Sequence, residues 1–270
     1  MDIPVERWFK AIVVRHSRRK YMDKKLDEDT VNKIQAVIKE LNSYFDETRL
    51  VLVNKECSQI FKGIIGSYGN INGNSPAYVA MIGNSQGERI AEKIGYIGEG
   101  LILEATSIGL GTCWIAGTFR EKKVKSDINL KENEKIYAIT PLGYIKSNYS
   151  LKEKIVSKMV SSYKRKSLDE LCIDGFNEKW PNWIKTALNC ARVAPSAING
   201  QPWRFKINEN SIILSADTPK NAEKLYKKMD YGIAMLHLEI GALHEGVKGS
   251  WEYLESPNIA EFKIDNTKST

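Results

Sequence analysis

Ala194-Pro195-Ser196-Ala197-Ile198-Asn199-Gly200-Gln201-Pro202-Trp203 is the stretch on which the reading of this chain turns. Two prolines bracket small residues and two side-chain amides. Proline fixes φ and lacks an N–H, so both ends of the stretch are stiff. The residue before a proline is pushed out of the helical region, so the apolar segment leading to Pro195 must stop there. Asn199 and Gln201 each offer a donor and an acceptor, which suits the edge of a planar heterocycle presenting both. A well-capped surface turn is the plainer alternative.

Working outward, Pro181 suits the first turn of a helix whose buried face is Ile184, Ala187, Leu188 and Ala191. Beyond Trp203, 205–207 and 212–214 read as a hairpin turned at Glu209-Asn210. A second apolar helix is expected at 233–247 and a last strand at 262–264, with a frayed chain end. In the other direction, 146–168 is rich in Lys and Ser and forms a natural boundary, dividing the chain into 1–150 and 151–270. Before it come a helix at 26–41 with Asp27 as N-cap, strands at 50–53 and 78–82, a polar loop at 63–76, an apolar helix at 94–108, and a buried strand at 136–145 interrupted by Pro141.

The two parts echo each other. Gly109 and Trp114 follow the first long apolar helix, and Gly246 and Trp251 follow the second; both pairs are separated by 137 positions. The apolar phases of the helices do not match at that offset. If the repeat is real, each half is an α+β unit and the two pack as an intramolecular pseudo-dimer.

With 270 residues, 42% of them hydrophobic, the chain can bury a sizeable core as one large or two small domains. No apolar run is long enough to span a bilayer, and Met1-Asp2-Ile3-Pro4 lacks the features of a secretory signal. Cys57, Cys113, Cys172 and Cys190 form no Cys-x-x-Cys pair; reduced, mostly buried thiols of a cytoplasmic protein are expected, and no metal site. The net charge of +7 comes from dispersed lysines, with two denser runs at 15–20 and 164–166. Neither run interleaves aromatics, which argues against nucleic acid. Gly63-x-x-Gly66-x-x-Gly69 lacks the Lys-Ser/Thr of a phosphate loop. Gly109-x-Gly111 follows a helix where a dinucleotide fingerprint must follow a strand, so a helix-ending turn is its simplest role.

The proline-bracketed word Pro-Ser-x-x-Asn-x-Gln-Pro-Trp resembles the flavin loop of the nitroreductase family. Arg15-His16-Ser17-Arg18-Arg19 is similar to that family's opening segment. Gly109-Leu-Gly111-Thr-Cys-Trp114-Ile115-Ala116-Gly117 is similar to its flavin-stacking segment, Pro141-Leu-Gly143-Tyr to its late strand, and Lys164-Arg165-Lys166-Ser-Leu to its closing segment, with Ser167 where proline is usual. Ordinary members carry these words once per subunit and hold each flavin between two subunits. Here the Pro-Ser loop is missing from the first half, where 42–48 stands in its place, and the Arg-x-Ser segment is missing from the second. The chain thus resembles two fused units with one site kept and the other lost.

The resemblance implies an α+β, FMN-dependent nitroreductase fold with mixed or antiparallel sheets flanked by helices. It implies one FMN per chain, NADH or NADPH as electron donor, and ping-pong reduction of a nitroaromatic, quinone or similar small acceptor. Arg15, Ser17 and Arg165 are expected at the phosphate, with His16 touching it or capping the next segment. Arg19 is expected toward the pyrimidine edge. Pro195, Ser196, Ala197, Asn199 and Gln201 are expected along the ring, and Trp114, Ile115, Ala116 and Gly117 on its other side. No side chain need act as nucleophile or base. Plain core packing is the expectation for Trp203 and Trp251. The implied partners are the nicotinamide and the substrate, without nucleic acid or membrane, for a pseudo-dimeric monomer whose further assembly is left open. A flavin carrier or sensor without turnover is the competing reading.

Overall fold

β-branched and aromatic runs separated by turns build two antiparallel sheets, and two long apolar segments build the helical layer between them. The computed structural model describes residues 2–61, 75–146, 164–222 and 224–265. Most of the loop expected at 63–76, most of the linker at 146–168, and 266–270 lie outside the described residues.

The first sheet has β1 (Thr48–Val53), β2 (Ala77–Asn84), β3 (Leu110–Gly111) and β4 (Glu134–Tyr144) in the order β1-β2-β4-β3. The second has β5 (Trp203–Ile207), β6 (Ser211–Ala216), β7 (Gly249–Tyr253) and β8 (Asn258–Ile264) in the order β5-β6-β8-β7. The two orders are the same when the second set is counted from its own first strand. Even the irregularities correspond: the register shifts at Met81/Ile82 in β2 and at Leu214/Ser215 in β6, each time opposite the last strand of its sheet. β4 is not interrupted at Pro141. That residue pairs with Tyr78, and on its other side the ladder is broken between the Ile115–Ile139 bridge and β3, so the missing N–H is tolerated.

The helices are α1 (Val5–Val14), α2 (Glu28–Asn42), α4 (Ile90–Ser107), α5 (Glu121–Asp127), α7 (Asn182–Arg192) and α9 (Leu225–His244), with single turns α3 (Ser58–Phe61), α6 (Leu168–Leu171) and α8 (Pro219–Ala222). Asp27 caps α2 by accepting a hydrogen bond from the Thr30 N–H, and Ile34, Val37, Ile38 and Leu41 are its buried face. Pro181 is the N-cap of α7 and lies just outside its first turn. α9 starts eight residues before the expected position, because Lys227, Lys228 and Asp230 break the apolar pattern there. α1, unforeseen, buries Trp8, Ala11 and Ile12.

α4 and α9 cross at a double glycine contact. A Cβ on Gly95 would stand 2.1 Å from the Met229 carbonyl oxygen, and one on Gly232 would stand 1.8 Å from that of Glu92. Backbone touches backbone, so neither position admits a side chain. Both 232 − 95 and 229 − 92 equal 137, so each half presents equivalent positions to the other about a pseudo-two-fold axis, a glycine against the backbone of residue 92 or 229. The glycines after the helices keep that spacing, with Gly109 at φ 83° and Gly246 at φ 77° in helix-ending turns. The apolar phases failed to show this register for a physical reason. Both helices are buried nearly all round at the crossing, so neither carries a single stripe. All four cysteines are buried and free. No described helix is long and apolar enough to cross a membrane.

Candidate active site

Pro195 ends α7, and the chain then turns through Ala197–Asn199 with Ile198 at φ 49°, Asn199 at 57° and Gln201 at 45°. Three non-glycine residues in the left-handed region need outside fastening. The Gln201 N–H donates to Ser196 Oγ (2.9 Å), and the Ala197 N–H donates to Asp230 Oδ1 on α9 (3.0 Å). Gln201 Oε1 accepts from the Lys166 N–H (2.8 Å), Asn199 Nδ2 donates to the Lys164 carbonyl (2.7 Å), and Arg165 hydrogen-bonds Asn199 Oδ1. The 164–166 run is thereby sewn to the back of the loop.

From the first half, Arg15 caps the C-terminus of α1 and Ser17 bridges to Thr112, with the Arg18 N–H donating to the Thr112 carbonyl (2.7 Å). The cationic strip therefore runs beside β3, within reach of Trp114. Trp114 Nε1 donates to Glu99 Oε2 (2.7 Å). The other Glu99 oxygen meets His237 Nε2 (3.0 Å) and lies 3.7 Å from Arg15 Nε. The opposite ring nitrogen of His237 faces the Cys190 carbonyl (3.0 Å), which can only accept, so Nδ1 carries a proton. Glu99 and His237 are wholly buried and join α4, α9 and α7 behind two residues of the site.

Between these walls lies a cavity of ≈ 360 Å³, within the ~300–1,000 Å³ typical of small-molecule sites. Among the residues expected from the sequence, Arg15, His16, Ser17, Arg19, Trp114, Ala116, Arg165, Pro195, Ser196, Ala197 and Asn199 line it. Ile115, Gly117 and Gln201 do not. Ile115 points into the sheet, paired with Ile139; Gly117 makes a left-handed turn at φ 82°; Gln201 lies beneath the loop as its fastener. Tyr226, Met229, Asp230 and Ile233 on α9, together with Ile198, complete the lining and were not foreseen.

One end of the cavity is strongly cationic. Burial, reinforced by Arg15 and Arg192, pushes the Arg165 guanidinium down to about 10. Burial, then Arg15, Arg18 and Arg165, hold the His16 imidazole below its usual value. Arg15 is buried, and its Nε has no hydrogen-bond partner among the described residues. Cations crowded together and kept from water repel one another unless an anion joins them. Trp114, Met229, Ile233 and Pro195 make the rest of the cavity apolar. The arrangement suits a flat ring bearing a doubly charged tail.

At the position related by 137 residues, aromatic and charged side chains crowd around Tyr96. There Arg89, Glu92, Lys93 and Tyr96 stand where Tyr226, Met229, Asp230 and Ile233 stand at the open cavity. Tyr96 stacks on Tyr44 at 5.2 Å, meets Phe45 edge-on at 6.0 Å, and donates to Glu239 Oε2 (2.7 Å). Trp251 Nε1 donates to the same oxygen (2.9 Å), and Lys93 pairs with Glu47 (2.7 Å). The 42–48 segment, which replaces the missing Pro-Ser loop, supplies Tyr44, Phe45 and Glu47 to this cluster.

Ile198 is 70% exposed at the cavity lip in a conformation that costs a β-branched residue ~1–2 kcal/mol. Ile198→Gly should therefore leave stability unchanged or raise it by up to ~1 kcal/mol in urea unfolding, strain relief outweighing the added freedom of the unfolded chain. A clear loss would show that the side chain packs in solution.

The family model "Putative TM nitroreductase" matches residues 7–242. A "putative nitroreductase" from Thermotoga maritima has a similar solved structure, with TM-score 0.60 and 19% identity over 95% of this chain and 93% of that one. A nitroreductase family protein from Clostridium novyi gives 0.43 and 24% over 52% and 86%. An FMN-dependent nitroreductase from Clostridium difficile gives 0.42 and 19% over 52% and 91%. Comparison with curated proteins gives no match.

Proposed function

The chain belongs to the nitroreductase family whose model spans residues 7–242, and from that premise we propose that it is an FMN-dependent oxidoreductase with one cofactor per chain. The observation that carries this reading is a cavity walled by both halves, cationic at one end and with an apolar wall of Trp114, Met229, Ile233 and Pro195. The fit is to a phosphorylated ring compound. Arg15 and Arg165 stand close enough to depress the Arg165 guanidinium, beyond what burial does, so an anion between them is favoured, and the apolar wall suits a flat hydrophobic body.

Arg15, Ser17 and Arg165 hold the phosphate by charge-assisted hydrogen bonds, with His16 beside them. Arg19 places positive charge near the pyrimidine edge, where negative charge builds on reduction. The loop from Pro195 to Asn199 and the Trp114–Ala116 segment enclose the ring, and Gln201 holds the loop in shape. FMN, when held by these residues, would supply hydride chemistry between NADH or NADPH and a nitroaromatic, quinone or similar acceptor. Ile198 and Tyr226 form an apolar lip past which these partners exchange. The units 1–150 and 151–270 act as the two partners of one site, so a monomer suffices.

The purified protein should be yellow, with about one FMN per chain, and anaerobic NADH or NADPH should bleach it. Colourless protein that takes up no added FMN would defeat the reading. Yellow protein inert to both nicotinamides would instead make it a flavin carrier or sensor.

A further inference from the structure

Asp230 has no part in the function described above, yet it is a buried carboxyl group in the wall of the cavity. Its Oδ1 accepts the Ala197 N–H (3.0 Å), while Oδ2 has no hydrogen-bond partner among the described residues. Its symmetry-related residue in the first half is the opposite charge, Lys93, tied to Glu47. The carboxyl is thus peculiar to the cavity bounded by the Pro195–Asn199 loop.

Its surroundings decide its state. Lys227 lies one turn earlier on the same helix, the Ala197 N–H comes from the loop, and Glu92 on α4 packs against Gly232 two positions on. Across the cavity stand Arg15, His16, Arg19 and Arg165. An ionised Asp230 would leave one buried oxygen unsolvated, at a cost that a single backbone donor and Lys227 do not cover. A proton on Oδ2 removes that cost and leaves Oδ1 free to accept from Ala197.

We propose that Asp230 carries its proton when the cofactor is bound, keeping the cavity wall neutral, and that losing this proton loosens the hold on an anionic flavin. The inference rests on the FMN reading. Burial raises the Asp230 carboxyl to about 8, which places the change in reach of mild alkali. His16 is held low and the phosphate is fully ionised above pH 7, so neither titrates in that window.

The test is fluorescence titration with FMN from pH 7 to 9.5, for the wild-type chain and Asp230→Asn, which keeps an acceptor for Ala197 but cannot ionise. Wild-type Kd should rise about tenfold for each unit by which bound FMN raises this group's pKa, while the variant stays flat. Unliganded protein gives a second readout. A carboxyl raised in the fold contributes stability that is complete below its unfolded value near 4 and is lost as pH climbs through about 8. Wild type should therefore lose stability against Asp230→Asn across that window. Equal pH dependence of FMN binding in the two proteins would overturn this inference alone. No FMN binding at any pH would overturn it together with the functional reading.

Discussion

Replacing Arg15 and Arg165 together by alanine should weaken FMN binding on the order of 10²- to 10⁴-fold, the largest loss expected from any change in the cavity. In the proposed function each guanidinium would supply a charge-assisted hydrogen bond of ~1.5–3 kcal/mol to the phosphate, and every ~1.4 kcal/mol is a factor of ten. The loss should be selective. Riboflavin has the ring without the phosphate, so its already weak binding should change little. The unliganded fold should lose some stability, because Arg165 hydrogen-bonds the loop at Asn199 and Arg15 faces Glu99; relief of burial and of the Arg15–Arg165 repulsion offsets part of that loss. Paired titrations with FMN and riboflavin by fluorescence quenching measure both effects. Equal losses for the two ligands would place the phosphate elsewhere.

Glu99→Ala should lower folding stability by ~3–5 kcal/mol, the penalty for removing one partner from a buried charged network. Glu99 is fully buried and has three dependants: His237 from the other half, the indole of Trp114, and Arg15 at 3.7 Å. Without the carboxylate, the Trp114 ring N–H loses its acceptor, His237 Nε2 its partner and Arg15 a nearby negative charge. Glu99→Gln, which can still accept from Trp114, should cost less. Urea unfolding of both variants checks the order, and a loss under 1 kcal/mol for the alanine variant would show that the network is slack. Two cavity-lining residues hang on this carboxylate, so the alanine variant should also hold FMN poorly even where it remains folded.

Much of the cavity lining could be read from sequence because it is spelled in short words. The Pro195–Trp203 loop, the Arg15–Arg19 strip and the Trp114–Ala116 segment each owe their shape to neighbours within a few positions. A word does not say which of its side chains faces inward. Ile115 enters a ladder with Ile139, and Gln201 turns back beneath its own loop. Tyr226, Met229, Asp230 and Ile233 belong to no word. They reach the cavity only because α9 crosses α4 at Gly95 and Gly232, a meeting of residues 137 apart that a local pattern does not encode. Glu99 is similar. A lone acid in an apolar helix is a signal of something to satisfy, but its partners come from remote segments. In the first half the sequence showed only a missing motif, and the packing of Tyr44, Phe45 and Tyr96 shows what stands near its place.

The backbone-to-backbone crossing of α4 and α9 joins two parts of one polypeptide. A binding cleft shared by separate subunits exists only while they stay associated, so its ligand affinity falls as protein is diluted. Here tethering keeps the cleft assembled at any concentration. Symmetry is also released from its usual bookkeeping: in a homodimer one mutation strikes both clefts, whereas here aromatic side chains can crowd one and leave its twin intact.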